Sequence, residues 1–200
     1  SVLVRITSRP APSGLPSVSK KTAPSVDSPA TSFVCTSAIA EAAALLSEAK
    51  FPVILSGAGV VLGNAIPECA ALAEKLDAPV CSNYQHNDSF PGSHRLACGP
   101  LGYNGSKAAM ELISKADVVL ALGTRLNPFS TLPGYGIDYW PKSAKLIQVD
   151  INPDRIGLTK PVAVGIVGDA KAVAESLLAA LGDGAGDAGR ADRKALIART

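Results

Sequence analysis

Apolar side chains at Ile39, Ala42, Ala43, Leu46 and Ala49 fall three or four residues apart, with Glu41 and Glu48 on another face. That spacing predicts an amphipathic helix from about Thr36, ended at Phe51-Pro52. Val53-Ile54-Leu55 is a short apolar run without polar alternation, the pattern of a strand buried on both faces. Gly57-Ala58-Gly59 follows, and then a second helix near residue 64 with Ile66, Cys69, Ala70, Ala73 and Leu76 on one face. Pro67 falls in its first turn, where a missing N–H costs least. The same alternation continues along the chain. Pro79-Val80-Cys81 reads as a strand, and a short one is expected near Leu96 to Cys98. Ser106 caps a third helix containing Ala109, Leu112, Ile113 and Ala116. Val118 to Leu122 is the clearest buried strand, followed by strands at Lys145 to Asp150 and Val162 to Val167. Asp169 caps a last helix with Val173, Leu177 and Leu181 in register, stopped by Gly182.

Short apolar strands separated by helices or long crossovers require a parallel sheet covered on both faces. The fold class predicted is therefore α/β: a doubly wound, Rossmann-like parallel sheet of five or six strands with helices on both faces.

Residues 1–32 break the pattern. They hold five prolines, many serines and threonines, and four of the chain's 19 basic residues against one of its 17 acids. Residues 33–200 are left with 15 and 16, so the net charge of +2 comes from this arm. A Pro/Ser-rich basic arm or linker is expected there, and a Gly/Asp linker and the start of a C-terminal tail over 182–200, with the α/β domain at 33–181.

Composition removes several functions. Charged residues are 18% of the chain and aromatics 4%, too few for a nucleic-acid-wrapping surface or for base-stacking platforms. No apolar run approaches a membrane span, and no apolar stretch of a secretion signal precedes Pro10. The four cysteines, Cys35, Cys69, Cys81 and Cys98, form no CxxC pair, and His86 and His94 lack a zinc spacing. Free thiols in a reducing compartment, and hence a cytoplasmic protein with no nucleic-acid or membrane partner, are the expectation.

Ligands of doubly wound folds sit at the carboxyl ends of the strands, which selects the candidate residues. Gly57-Ala58-Gly59 could bring backbone close to a phosphate, but the dinucleotide fingerprint needs glycine where Leu62 stands, and Cys81-Ser82-Asn83 holds no acid for a ribose. The alternative is a tight strand-to-helix turn. Gly123-Thr124-Arg125 could hold a phosphate or carboxylate, or could simply end its strand. Asp150 and Asn152 could take a ribose hydroxyl or cap the turn at Pro153. Gly102 and Gly105 lie in a glycine-repeated loop that is either ligand-facing or a flexible cap. Gly182-Asp183-Gly184 has the form of a magnesium–diphosphate motif, but it follows a helix, and the position of the downstream asparagine that completes such a motif falls beyond Thr200. No paired carboxylates, nucleophile elbow or Cys–His pair is present, so no catalytic or metal-ligating residue is assigned.

Three runs carry a resemblance: Ala116-Asp117-Val118-Val119-Leu120-Ala121-Leu122-Gly123-Thr124-Arg125, Ile147-Gln148-Val149-Asp150-Ile151-Asn152-Pro153 and Val167-Gly168-Asp169-Ala170. Together they resemble the central domain of thiamine-diphosphate-dependent enzymes of the acetolactate synthase and pyruvate oxidase family. Asn87-Asp88-Ser89-Phe90-Pro91, Gly99-Pro100-Leu101-Gly102-Tyr103, Gly105-Ser106-Lys107-Ala108-Ala109 and Asp138-Tyr139-Trp140-Pro141-Lys142 are similar to its acetyltransferase branch acting on sulfoacetaldehyde. The resemblance covers about 33–181 and implies a parent enzyme that converts sulfoacetaldehyde and phosphate to acetyl phosphate and sulfite. It further implies that thiamine diphosphate and Mg2+ are held by N- and C-terminal domains outside this chain, in a homo-oligomer. The chain alone would then be inactive, and ADP or FAD could occupy the central domain at Gly57, Ala58, Gly59, Gly123, Thr124, Arg125, Asp150, Asn152 and the loop from Gly102 to Gly105. A stand-alone nucleotide- or flavin-binding α/β module is the rival reading.

Overall fold

The structure, a computed structural model, describes residues 35–198, so the expectation for the arm at 1–32 lies outside the described residues. Six strands form one sheet: β1 (Pro52–Ser56), β2 (Val80–Asn83), β3 (Ala97–Leu101), β4 (Val118–Leu122), β5 (Lys145–Asp150) and β6 (Val164–Val167). All pair in parallel, in the order β3-β2-β1-β4-β5-β6. The chain winds outward from β1 to β3, returns to lay β4 beside β1, and winds outward again. The reversal between β1 and β4 opens a crevice at their carboxyl ends, because the connections there leave in opposite directions.

Strand alternation divides the apolar side chains between two cores. Ile54, Leu120, Leu122, Ile147, Val149 and Ile166 face the helices α1 (Thr36–Glu48), α3 (Ile66–Leu76) and α5 (Ala170–Ala180). Val53, Leu55, Cys81, Val119, Ala121 and Leu146 face the other side, against α4 (Lys107–Ile113). Among the described residues that second face has a single helix; the irregular segment after β4, which buries Leu126 and Tyr139, covers more of it. The predicted caps form: Ser106 Oγ accepts from Ala109 N, and Asp169 Oδ1 accepts from Lys171 N at 2.9 Å and Ala172 N at 3.2 Å.

Two helices are additional to those the hydrophobic pattern predicts. A one-turn helix, α2 (Ala58–Leu62), starts immediately after β1, so the helix following Gly57 begins at Ala58 and not near residue 64. Near the C-terminus, where a Gly/Asp linker is expected, α6 (Arg190–Ile197) forms. Its Arg193 is fully buried and donates to the carbonyl oxygens of Asp77 (3.2 Å), Leu76 (3.1 Å), Lys50, Ala188 and Gly186. Gly186 and Gly189 pass so close to Leu76 and Lys50 that a Cβ on either would lie 2.4 Å from a backbone oxygen. These contacts gather at the amino-terminal edge of the sheet, opposite the crevice.

Candidate functional site

The crevice is a cleft of about 520 Å³ lined by the ends of β1, β2, β4, β5 and β6. Of the residues singled out in the sequence, Ala58, Gly59, Gly123, Thr124, Arg125, Asp150 and Asn152 come together on its wall. Gly57 sits just behind, and Gly102 and Gly105 lie elsewhere.

The glycines at the switch point have a packing explanation. Gly59 N–H donates to Gly123 O at 2.8 Å, and Gly57 N–H to Leu122 O at 3.1 Å. A Cβ on Gly59 would lie 2.7 Å from Gly123 Cα, and one on Gly57 would lie 2.6 Å from both Asn83 Nδ2 and Thr124 Cβ. The β1 and β4 turns therefore cross backbone to backbone, and the N–H groups of Gly57 and Gly59 are engaged within the protein. The surface that Ala58, Gly59 and Gly123 present to the cleft therefore does not include those two donors.

Thr124 is buried; its hydroxyl oxygen accepts from Asn83 Nδ2 at 2.9 Å and from Leu126 N at 3.2 Å, tying the ends of β2 and β4 together. Arg125, the next residue, is exposed at the rim. Asp150 Oδ1 accepts from Asn152 N, and Asn152 Oδ1 from Asp154 N, both at 2.9 Å. These are consecutive Asx turns, so both residues cap the chain after β5 while lining the cleft. Buried Gln148 fixes the far rim: its Nε2 donates to Arg155 O at 3.0 Å and Thr124 O at 3.3 Å, and its Oε1 accepts from Gly157 N at 2.9 Å.

Gly102 is placed by packing of a different kind. A Cβ there would lie 2.0 Å from Phe129 O, and its φ is +85°. Gly105 N–H donates to Gly102 O at 2.8 Å. The loop folds as a turn beneath the residue 128–131 segment, which accounts for both glycines without a ligand.

Asn83 is a site residue that the sequence reasoning passed over. It ends β2, is 6% exposed, and lines the cleft. Its Oδ1 is buried with no hydrogen-bond partner. An orphaned buried acceptor costs about 1–3 kcal/mol, which a donor on a bound ligand would recover. The signal for it in the sequence is its place at the end of a strand, since a ribose or an amino group can be met there by an amide as well as by an acid. Arg155, Gln85 and His86 also reach the cleft.

The Gly182-Asp183-Gly184 run does not fit a magnesium–diphosphate site. Asp183 is fully exposed after a helix, pairs with Lys75 at 3.4 Å, and is remote from the cleft residues. Among the described residues no three His, Cys, Asp or Glu side chains converge on one point.

An all-parallel sheet in this order, with a strand-end cleft at its switch point, defines a dinucleotide-fold α/β domain. Residues 39–177 match the model of the thiamine pyrophosphate enzyme central domain, and the chain belongs to that family. It is 78% identical over 163 residues to a sulfoacetaldehyde acetyltransferase of Roseovarius nubinhibens, covering 82% of this chain and 27% of the relative. It is 42% identical over 143 residues to a probable acetolactate synthase large subunit of Methanocaldococcus jannaschii, covering 72% of this chain and 24% of that one. In fold it resembles benzoylformate decarboxylase from Polynucleobacter necessarius, with a TM-score of 0.65, 24% identity, and cover of 84% of this chain and 30% of that structure. The chain thus spans about a quarter of the length of the curated relatives it matches.

Proposed function

We propose that this chain serves as the central domain of a thiamine-diphosphate-dependent acetyltransferase that converts sulfoacetaldehyde and phosphate to acetyl phosphate and sulfite. The observation that carries the reading is the 78% identity to the Roseovarius nubinhibens sulfoacetaldehyde acetyltransferase. Thiamine diphosphate and Mg2+ belong to other domains of that enzyme, since the residues here do not fit them. The role of this domain is architectural, and it holds an adenine nucleotide, ADP or FAD, across the strand ends. The orphaned Asn83 Oδ1, the rim guanidinium of Arg125 and the carboxylate of Asp150 support that second part: an acceptor, a cation and an acceptor are what an amino group, a diphosphate and a ribose need.

A domain exchange tests the acetyltransferase reading. Residues 35–181 replace the matching segment of the Roseovarius nubinhibens relative, and acetyl phosphate formed from sulfoacetaldehyde and phosphate is measured. Activity retained within about tenfold, or 1.4 kcal/mol of barrier, is expected. A folded but inactive chimera would count against it. A stand-alone flavin module would instead purify yellow from this chain alone.

A further inference from the structure

Cys81 lies in β2 and Cys98 in the neighbouring edge strand β3. The register between them slips at one point: Val80 pairs with Ala97, but Cys81 pairs with Gly99. Cys98 is the inserted residue of a β-bulge. Val80 and the Ala97 opposite it belong to the first core, so one step further along each strand brings Cys81 and Cys98 to the second face by ordinary alternation, and Cys98 packs against the core cluster that contains Cys81. Adjacent strands run about 4.8 Å apart, so residues facing across a bulge fall within the 4.4–6.8 Å Cα separation that a disulfide needs.

The two thiols are unequal. Cys81 is fully buried, and its Sγ lies 3.8 Å from Ala109 O. Cys98 is half-buried at the sheet edge. Cys98 Sγ donates to Leu96 O at 3.4 Å; the neighbouring Cys81 thiol holds the Cys98 thiol below its ordinary range, and the neighbouring Cys98 together with burial pushes the Cys81 thiol up. A half-buried thiol on the edge strand beside a fully buried one is the arrangement of an attacking and a resolving cysteine.

We propose that Cys81 and Cys98 form a reversible oxidation site, closed by peroxides into a disulfide that staples the edge strand β3 to β2. Cys98 thiolate attacks a peroxide oxygen; an S–O bond forms, the O–O bond breaks, and hydroxide leaves with a proton as water. Cys81 sulfur then attacks the Cys98 sulfenic acid; the S–S bond forms, and the hydroxyl leaves as water with the Cys81 proton. Two thiols supply two electrons, and one hydrogen peroxide becomes two waters.

The test uses the 200-residue chain carrying Cys35→Ser, which removes the exposed competitor thiol. The protein is treated with hydrogen peroxide, quenched with an alkylating reagent, and digested without reduction. A peptide linking Cys81 to Cys98, lost on adding dithiothreitol, is expected, with titratable thiols under denaturing conditions falling from three to one. Cys98→Ser should abolish the link and leave Cys81 reduced. Cys81→Ser should leave Cys98 as a sulfenic acid that a dimedone probe traps. A chain in which Cys98 proceeds to sulfinic acid with Cys81 still free, or links to Cys69, overturns the proposal.

Discussion

At the scale of single residues, three arginines, one at the cleft and two at the opposite edge of the sheet, separate binding from scaffolding. Arg125 stands at the cleft rim. Arg95 pairs with Asp77 at 2.7 Å on the far edge. A charge-assisted hydrogen bond to a diphosphate contributes about 1.5–3 kcal/mol. Arg125→Ala should therefore weaken ADP binding by about one to two decades in calorimetry, while Arg95→Ala leaves it unchanged. Equal affinity in wild type and Arg125→Ala would remove Arg125 from the site. Arg193 tests the scaffold. Its guanidinium fork satisfies five carbonyl oxygens, a job that the three donors of an ammonium on a flexible stem cannot copy. Arg193→Ala should cost about 3–5 kcal/mol in urea unfolding, and Arg193→Lys should recover only a minor part. A change under about 1 kcal/mol would mean that α6 is not integral to the domain.

At the scale of elements, the glycines distinguish turns that pack from turns that bind. Gly59→Ala drives a methyl into the Gly123 backbone, and Gly102→Ala drives one into the Phe129 carbonyl. Both should lower stability by about 1–3 kcal/mol or more, as overpacking does. Only Gly59→Ala should also lower nucleotide affinity, because only Gly59 lines the cleft. Loss of affinity in a folded Gly102→Ala would return that loop to the binding surface. The elements themselves were largely legible. The i, i+3, i+4 spacing at 39–49 and the continuous apolar runs at 53–55 and 118–122 predict helix and buried strand because both faces of the sheet are covered. α2 was not legible, because one turn is shorter than a helical period needs to reveal itself. α6 was not legible either: its composition is polar, and it is held by one arginine and by glycines whose partners lie more than a hundred residues away in the chain.

At the scale of the whole molecule, the described residues form a cleft, and among them no three His, Cys, Asp or Glu side chains converge on one point. With thiamine diphosphate and magnesium added, it should form no acetyl phosphate from sulfoacetaldehyde and phosphate, as followed by a coupled hydroxamate assay. Product above the protein-free background would place catalytic groups in this chain. No helix among the described residues is long and apolar enough to cross a membrane.

The class of fold is legible along the chain, because hydrophobic periodicity and helix caps are local and each strand's burial is written in its own side chains. The family is legible there too, since the runs ending in Gly123-Thr124-Arg125 and Asp150-Ile151-Asn152-Pro153 are contiguous. Which partners each strand-end residue meets depends on the folded arrangement. Gly57 and Gly59 are constrained by Gly123 and Thr124 across the β1–β4 reversal. Thr124 is engaged by Asn83 from β2. Gly102 is constrained by Phe129, away from the cleft. Asn83 gains its significance from an acceptor left without a donor. Each of these is a meeting of segments far apart in the chain, and a one-dimensional pattern holds no record of which turns touch.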